Sequence, residues 1–183
     1  MLHKVKKIII PENKEILFKE IFLNKNNYRF IAGGVSLNWR GNQNEILIDI
    51  KEIISKECIV TKEIIKLGAA VGLTDCANFL KTQNFQPPIF NALITALESI
   101  ASPQIRHMAT LGGNIISHFD FSDTLGFLYL LEPNFELLNN SGYKTVSFQE
   151  LYSPKTKRLT LPEDTLLNAV IFEKSKLTKF DSS

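Results

Sequence analysis

The most informative stretch of the chain runs from Ala101 to Ile115 and reads ASPQIRHMATLGGNI. Its glycine pair lies between Thr110 and Asn114. Because glycine has no Cβ, the backbone N–H groups of such a pair can approach an anion closely, and the two flanking side chains can hydrogen-bond to phosphate or ribose. Alone, however, a Gly-Gly that follows a hydroxyl residue is typical of an ordinary turn.

A second glycine pair changes that interpretation. Residues 28–36 read YRFIAGGVS, which predicts a short strand, Tyr28 to Ala32, that runs directly into Gly33, Gly34, Val35 and Ser36. A diphosphate held between two loops needs backbone donors from both sides. The sequence therefore predicts two exposed glycine pairs that face one phosphorylated ligand.

Hydrophobic periodicity predicts an α+β fold with a small βαβ unit first. Its helix is expected from Lys14 to Leu23, with Asn13 as the N-cap. The other expected elements are a strand at 8–10, the strand at 28–32, a helical turn at 37–40 and a strand at 45–50. We place this N-terminal subdomain at residues 1–54.

A second subdomain, residues 55–173, is expected to hold an antiparallel sheet backed by helices, followed by a tail at 174–183. Thr74 or Asp75 is expected to cap a helix that ends at Lys81, and Pro87 or Pro88 to open the next one. The remaining expectations are strands at 57–61, 64–70, 135–138, 144–147 and 166–172, with a helix at 123–131.

Composition excludes several classes of protein. The chain has 183 residues with 21 Lys plus Arg against 19 Asp plus Glu, so it lacks the strongly basic footprint of a nucleic-acid binder. No run approaches the ~20 apolar residues of a membrane helix, and no secretory signal is recognisable, so we expect a cytoplasmic protein. Cys58 and Cys76 form no C-x-x-C pair and the three histidines are scattered, so no metal site is expected.

Together the two glycine stretches resemble the FAD-binding domain of the molybdenum hydroxylases. This family includes the flavin subunit of carbon monoxide dehydrogenase and the flavin part of xanthine dehydrogenase. Its pattern is Ala-Gly-Gly-x-Ser/Asp, then Ile-Ala-x-Pro-Gln-Ile-Arg-Asn-x-Ala-Thr-Ile-Gly-Gly-Asn, then Ser/Asn-Asp before a helix. The chain has AGGVS from Ala32, the long motif from Ile100 with two differences, and Ser122-Asp123. The resemblance implies the two-subdomain, PCMH-type FAD-binding fold.

The resemblance also implies cofactor roles. The first loop would wrap the FAD diphosphate, the second would close it from the other side, and Asp123 would bind the adenosine ribose. Apolar residues, including Ile100 and Leu167, would line the flavin or adenine unless they are ordinary core. The implied FAD-binding residues are Ala32, Gly33, Gly34, Val35, Ser36, Ala101, Ala109, Thr110, Gly112, Gly113, Asn114, Ser117, Asp123 and Leu166. No catalytic side chain is expected.

By the same resemblance, the function is electron transfer within a complex. The flavin would take electrons from iron–sulfur clusters on a partner subunit and pass them to NAD or another acceptor, and a molybdopterin subunit would oxidise the substrate. The present chain would be an oxidoreductase subunit that is active only in that complex.

Departures from the family pattern leave alternatives open. Val35 replaces a polar residue, His107 replaces Asn, and Gly126 stands where Pro is common. The family also has a further domain after the last strand, and we expect the present sequence, which ends at Ser183, to lack it. The chain could therefore be a truncated or degenerate fragment that acts as a binding or assembly module without firmly bound flavin. A stand-alone flavin oxidoreductase would need its own acid or base, and none is recognisable. Arg106 fits a phosphate contact or buried structural pairing equally well.

Overall fold

The computed structural model describes residues 5–25, 27–36, 46–84, 88–117, 123–156 and 158–177. Its first part is a three-stranded parallel sheet with the strand order β1-β3-β2. The elements of this part are β1 (Lys7–Ile9), α1 (Lys14–Leu23), β2 (Tyr28–Ile31) and β3 (Ile46–Asp49). The predicted βαβ unit is confirmed, whereas the helical turn predicted at 37–40 lies outside the described residues.

Helix α1 forms where the sequence predicted it. The Asn13 side chain accepts a hydrogen bond from the N–H of Ile16 at 2.9 Å, which satisfies one of the open donors of the first turn. The buried face of the helix carries Leu17, Phe18 and Ile21, which belong to the same core cluster as Ile48 of β3. Burial of this apolar stripe fixes the helix on the sheet.

The second part is a five-stranded antiparallel sheet with the order β4-β5-β10-β6-β7. Its strands are β4 (Cys58–Val60), β5 (Ile64–Gly68), β6 (Asn134–Asn139), β7 (Gly142–Val146) and β10 (Leu166–Glu173), and a separate hairpin contains β8 (Tyr152–Ser153) and β9 (Arg158–Leu159). The central position of β10 explains why its sequence is an almost unbroken apolar run that is buried from Leu166 to Val170.

Helices pack against this sheet through a shared apolar core. Leu93, Leu97 and Leu128 from the helices surround a cavity of about 10 Å³ together with Val170 and Phe172 of β10. The helices are α2 (Leu73–Lys81), α3 (Pro88–Ser99), α4 (Pro103–Met108), α5 (Leu111–Ile116), α6 (Asp123–Leu131), α7 (Phe148–Leu151) and α8 (Lys174–Leu177). The predicted antiparallel sheet with a helical backing is confirmed.

Three local predictions are wrong. Helix α2 begins at Leu73 with Gly72 at the N-cap position, so Thr74 and Asp75 lie inside its first turn and do not cap it. Residues 174–177 form a helical turn in which Leu177 is buried, so they are not part of a tail. The third error concerns the second glycine pair, which was expected to lie in an exposed loop and instead lies inside the short helix α5.

Among the residues that the structure describes, no helix is long and apolar enough to span a bilayer.

Candidate functional site

The first glycine loop, residues 32–36, follows β2 and lies directly on the second glycine stretch. A Cβ on Gly33 would lie 2.0 Å from the carbonyl oxygen of Met108 and 3.1 Å from the Cα of Ala109. Gly34 adopts φ +73°, a left-handed conformation that glycine takes at little cost. The fold therefore brings the two predicted stretches together, backbone against backbone.

The same loop offers hydrogen-bond donors. Within the described ranges, the backbone N–H groups of residues 33–36 donate to no other described residue, and all four residues are half-buried. Successive unpaired N–H groups around a left-handed glycine form a concave site that suits an anion. The loop thus has backbone donors that no described residue uses, whereas the close backbone approach at Gly33 is to Met108.

The second glycine pair is built differently. Thr110 is the N-cap of α5, and its Oγ1 accepts from the N–H of Gly113 at 3.2 Å. The N–H groups of Leu111 and Gly112 donate to the carbonyls of Val71 and Ala69 at 2.9 and 2.8 Å. The prediction that this pair offers exposed backbone donors is therefore wrong, because these donors are used within the protein.

Glycine is nevertheless required at position 112. A Cβ there would lie 2.7 Å from the Cβ of Ala69 and 3.0 Å from its carbonyl oxygen, so the residue is buried against β5 and the turn that follows it. Gly113 is exposed, and a Cβ there would meet only the Thr110 hydroxyl oxygen, at 2.8 Å. Gly112 therefore allows close packing against Ala69, whereas Gly113 lies at the surface.

Two polar residues follow this pair. The Thr124 hydroxyl donates to the Asn114 side-chain oxygen, and the Ser117 hydroxyl donates to the Asn114 carbonyl at 3.1 Å. These bonds link α5 to the first turn of α6 and orient the Asn114 amide. Asp123 begins α6, but its side chain, like the whole of Ser122, lies outside the described residues.

The apolar candidates are scattered. Ala101 is exposed in a left-handed conformation at φ 46°, and Ala109 is half-buried beside Gly33. Leu166 is only 2% exposed and Leu167 only 4%, and both belong to the hydrophobic core. The structure thus favours the core interpretation for these two leucines, since neither presents a surface to a ligand.

The structure also distinguishes between the two interpretations of Arg106. Its Nη1 donates to the carbonyls of Ile100 and Ala101 at 2.7 and 2.8 Å. These carbonyls follow the end of α3, where the helix leaves acceptors without intrahelical partners. Arg106 therefore stabilises the turn before α4, and the structural pairing is the one observed.

Sequence reasoning missed a contact between the two subdomains. The Tyr28 hydroxyl on β2 donates to Asp164 Oδ1 at 2.8 Å, just before β10. Burial and the neighbouring carboxylate raise the pKa of Tyr28 above its usual range. No local pattern could have revealed a pair of residues 136 positions apart.

The thiols behave as apolar groups. Cys76 is fully buried, and burial raises the pKa of both Cys58 and Cys76. In the described part of the chain, no three His, Cys, Asp or Glu residues are grouped so that they could hold a metal ion.

Comparison with known proteins identifies the family. The model for the FAD binding domain in molybdopterin dehydrogenase matches residues 7–173. The chain belongs to this family. Its members bind FAD, and the predicted cofactor and fold class are thereby confirmed.

Relatives and solved structures agree with this assignment. The chain is 26% identical over 153 residues to the nicotinate dehydrogenase FAD-subunit of Eubacterium barkeri, and 27% identical over 150 residues to the xanthine dehydrogenase FAD-binding subunit of Escherichia coli O157:H7. Each match covers 79% of this chain and 50% of the relative. The chain is also 28% identical to aldehyde oxidase 1 of Bos taurus over 156 residues, and this match covers 82% of the present chain and 12% of the aldehyde oxidase.

Two solved structures share the fold at a TM-score of 0.75. One is a Cu,Mo-CO dehydrogenase, with 22% identity over 92% of this chain and 59% of the other. The second is quinoline 2-oxidoreductase from Pseudomonas putida 86, with 19% identity over 91% of this chain and 58% of the other. The chain thus spans somewhat more than half the length of either solved chain.

The site geometry fits part of FAD. The left-handed Gly34 and the N–H groups of residues 33–36 suit the diphosphate, which needs backbone donors. The exposed Gly113 and the oriented Asn114 lie on the other stretch. The residues present therefore fit the diphosphate part of a dinucleotide.

Proposed function

We propose that the chain binds FAD between residues 1–54 and 55–173 and acts as the electron-transferring flavin subunit of a molybdenum hydroxylase. The single observation that carries the proposal is the seating of Gly33 on the Met108 carbonyl, which joins two glycine stretches about 75 positions apart. When bound, FAD supplies the redox chemistry, while the protein supplies binding, orientation and electrostatics. No side chain of this chain acts as an acid or base in the proposal.

In this proposal the two stretches contribute differently. The N–H groups of Gly34, Val35 and Ser36 bind the diphosphate, and Ala32 forms the wall of the loop. Gly113 permits close approach from the second stretch, where Asn114 and Ser117 supply polar contacts. Thr110 and Gly112 hold that stretch in shape through the cap and the contact with Ala69. Asp123 is proposed for the adenosine ribose, and Ala101 and Ala109 for apolar contacts.

The partners follow from similarity to the relatives. Two of them are named as FAD subunits of nicotinate and xanthine dehydrogenases. We infer that the present chain receives electrons from iron–sulfur clusters on a partner subunit and that a molybdopterin subunit oxidises the substrate. NAD or another acceptor then takes the electrons from the flavin.

A flavin titration tests the proposal. The purified chain is stripped of flavin, titrated with FAD while the quenching of flavin fluorescence is followed, and desalted before its visible spectrum is recorded. We expect about one retained FAD per chain and its reduction when the molybdopterin subunit, the iron–sulfur subunit and substrate are supplied together. A folded wild-type chain that binds no FAD would contradict the proposal.

The matched variants are Gly33→Ala and Gly126→Ala. The first places a Cβ against the Met108 backbone, whereas no atom of the described residues lies within 4 Å of a Cβ at position 126 on α6. We expect Gly33→Ala to lose FAD binding and Gly126→Ala to keep it. Equal FAD affinity in both variants would show that the first glycine loop is not the binding site.

One observation favours the second candidate function, a binding or assembly module with weakly held flavin. The second glycine pair has no spare backbone donor, and the side chain of Val35 in the first loop has no hydroxyl with which to bind a phosphate. A hydrogen bond to a charged group contributes roughly 1.5 to 3 kcal/mol. Partner subunits that copurify with a colourless chain, whose flavin binding is restored by Val35→Thr, would support this second function.

A further inference from the structure

Asn168 interrupts the central strand of the five-stranded sheet with a buried amide. The pairing of β10 with β6 shifts register between Leu167 and Ala169, so Asn168 occupies a bulge. The residue is only 5% exposed in a strand that is otherwise apolar. A buried amide at such a position needs hydrogen-bond partners on every side, and β-bulges are recurrent devices for redirecting a side chain.

The Asn168 amide has these partners. Its side-chain oxygen accepts from the N–H of Ser55 at 2.9 Å, and its side-chain nitrogen donates to the Glu136 carboxylate on β6. Glu136 in turn accepts from Lys66 Nζ at 2.7 and 2.9 Å, which neutralises the charge. The backbone carbonyl of Asn168 accepts from the N–H of Ala69 at 2.9 Å.

These bonds link the connection between the subdomains to the second glycine stretch. Ser55 directly follows the buried Ile54, and its carbonyl accepts from the N–H of Ala70 at 2.8 Å. Ala69 accepts from the N–H of Gly112 through its own carbonyl. One side chain therefore holds the connecting segment while the backbone of the same residue holds the segment that supports Gly112.

We propose that Asn168 is a positioning residue for the FAD site. It fixes the segment at Ser55 in register with Gly112–Asn114. Because the N–H of Ile54 donates to the carbonyl of Ile50 and the N–H of Ile50 donates to the carbonyl of Ile31, the same segment also positions the end of β2, from which the Gly33–Ser36 loop emerges. The residue does not touch the ligand in this proposal. The inference rests on the proposed FAD site, but the hydrogen-bond path from Ser55 to Gly112 exists without any ligand and can be tested separately.

The first experiment compares FAD affinity in Asn168→Ala and Asn134→Ala, each measured well below its own unfolding temperature. Asn134 is the matched control, because it lies in the same sheet and its side chain donates to Glu173 at 3.0 Å, away from the Ser55 segment. We expect Asn168→Ala to weaken FAD binding about tenfold or more, since it leaves the half-buried N–H of Ser55 without its acceptor, and Asn134→Ala to change it less than about twofold.

A reciprocal pair of substitutions supplies the rescue. Asn168→Asp alone places a second carboxylate beside Glu136 and removes the donor between them. Combining Asn168→Asp with Glu136→Gln reverses the direction of that hydrogen bond, retains an oxygen acceptor for the N–H of Ser55, and leaves one negative charge for Lys66. We expect the double variant to recover most of the FAD affinity that Asn168→Asp loses.

Amide hydrogen exchange in the flavin-free chain separates this inference from the proposed function. We expect Asn168→Ala to accelerate exchange at both Ser55 and Gly112, and Asn134→Ala to accelerate neither. Unchanged exchange at Gly112, or a loss of FAD affinity that matches the Asn134→Ala control, would overturn the positioning role. If wild type itself binds no FAD, the proposed function fails, while the exchange experiment still decides whether Asn168 couples the two segments.

Discussion

The two glycine pairs have the same sequence but differ in backbone conformation and in the hydrogen bonding of their N–H groups. Gly33-Gly34 lies in an open loop after a parallel strand, and the N–H groups of residues 33–36 are not bonded to other described residues. Gly112-Gly113 lies inside the short helix α5, where the Thr110 cap and the carbonyl of Ala69 take up its N–H groups. The first pair is suited to binding an anion, and the second to bringing backbone segments into close contact.

The difference shows that a Gly-Gly motif does not define a function by itself. At Gly33 and Gly112 the missing Cβ is needed for contact with Met108 and Ala69, respectively. Only the first pair also has a left-handed residue, Gly34, and unpaired donors. We therefore expect substitutions in the first pair to reduce ligand binding and substitution of the buried Gly112 in the second to reduce stability.

The largest expected effect is that of Gly33→Ala. Its Cβ would lie 2.0 Å from a backbone carbonyl that belongs to another segment, so the loop must move away from Met108. We expect FAD binding to fall below detection in a chain whose second subdomain stays folded, as measured by flavin titration and circular dichroism. Global unfolding of the variant, with no folded population left, would contradict the assignment of a local binding role.

Gly112→Ala is expected to act mainly on stability. Its Cβ would overlap Ala69, and overpacking of this kind costs about 1 to 3 kcal/mol. The double variant with Ala69→Gly removes the facing Cβ and should recover much of the loss in urea denaturation. A Gly112→Ala protein with unchanged stability and no FAD binding would reverse the distinction between the two pairs.

Thr110→Ala tests whether the cap organises the second pair. Loss of an N-cap side chain typically costs about 1 kcal/mol. We expect the urea midpoint to fall accordingly, with amide exchange at Gly113 faster than in wild type. An unchanged exchange rate at Gly113 would show that the hydroxyl does not hold its N–H.

Tyr28→Phe removes the hydrogen bond that joins β2 to the segment before β10 and should cost about 1 kcal/mol at neutral pH. Because the pKa of Tyr28 is raised in the folded state, the unfolded chain loses its proton first as pH rises above the ordinary value of about 10. Wild type should therefore lose this stabilisation in alkaline solution, whereas Tyr28→Phe lacks this contribution.

The measurement is the urea midpoint of both proteins at several pH values from about pH 8 to about pH 11. The difference between them is expected to shrink at the alkaline end. A difference that stays constant over that range would show that the contact with Asp164 does not hold the Tyr28 proton.

Much of the fold could be predicted because local patterns and tertiary structure agree. Asn13 caps α1, and the long apolar run from Leu166 is the central strand β10. The short helix α5, which contains the second glycine pair, could not be predicted, since adjacent glycines disfavour a helix unless a cap and tertiary contacts compensate. Here Thr110 and the carbonyls of Ala69 and Val71 provide that compensation.

The candidate site was predicted in outline. The motifs indicated which two stretches meet, and the contact between Gly33 and Met108 places them together. The motifs did not indicate which donors would already be used, because Ala69 and Val71 lie about 40 positions from their partners in the chain. The contact between Tyr28 and Asp164 and the bulge at Asn168 were missed for the same reason, since neither has a local sequence signature.

The most direct test of the central claim is a nuclear magnetic resonance titration of the ¹⁵N-labelled, flavin-free chain with FAD. The account predicts that the largest amide shifts occur at Gly34, Val35 and Ser36, while the amides of Gly112 and Gly113 stay protected from hydrogen exchange with and without FAD. Large shifts at Gly112 and Gly113 with no response at residues 34–36, or no response anywhere, would contradict it.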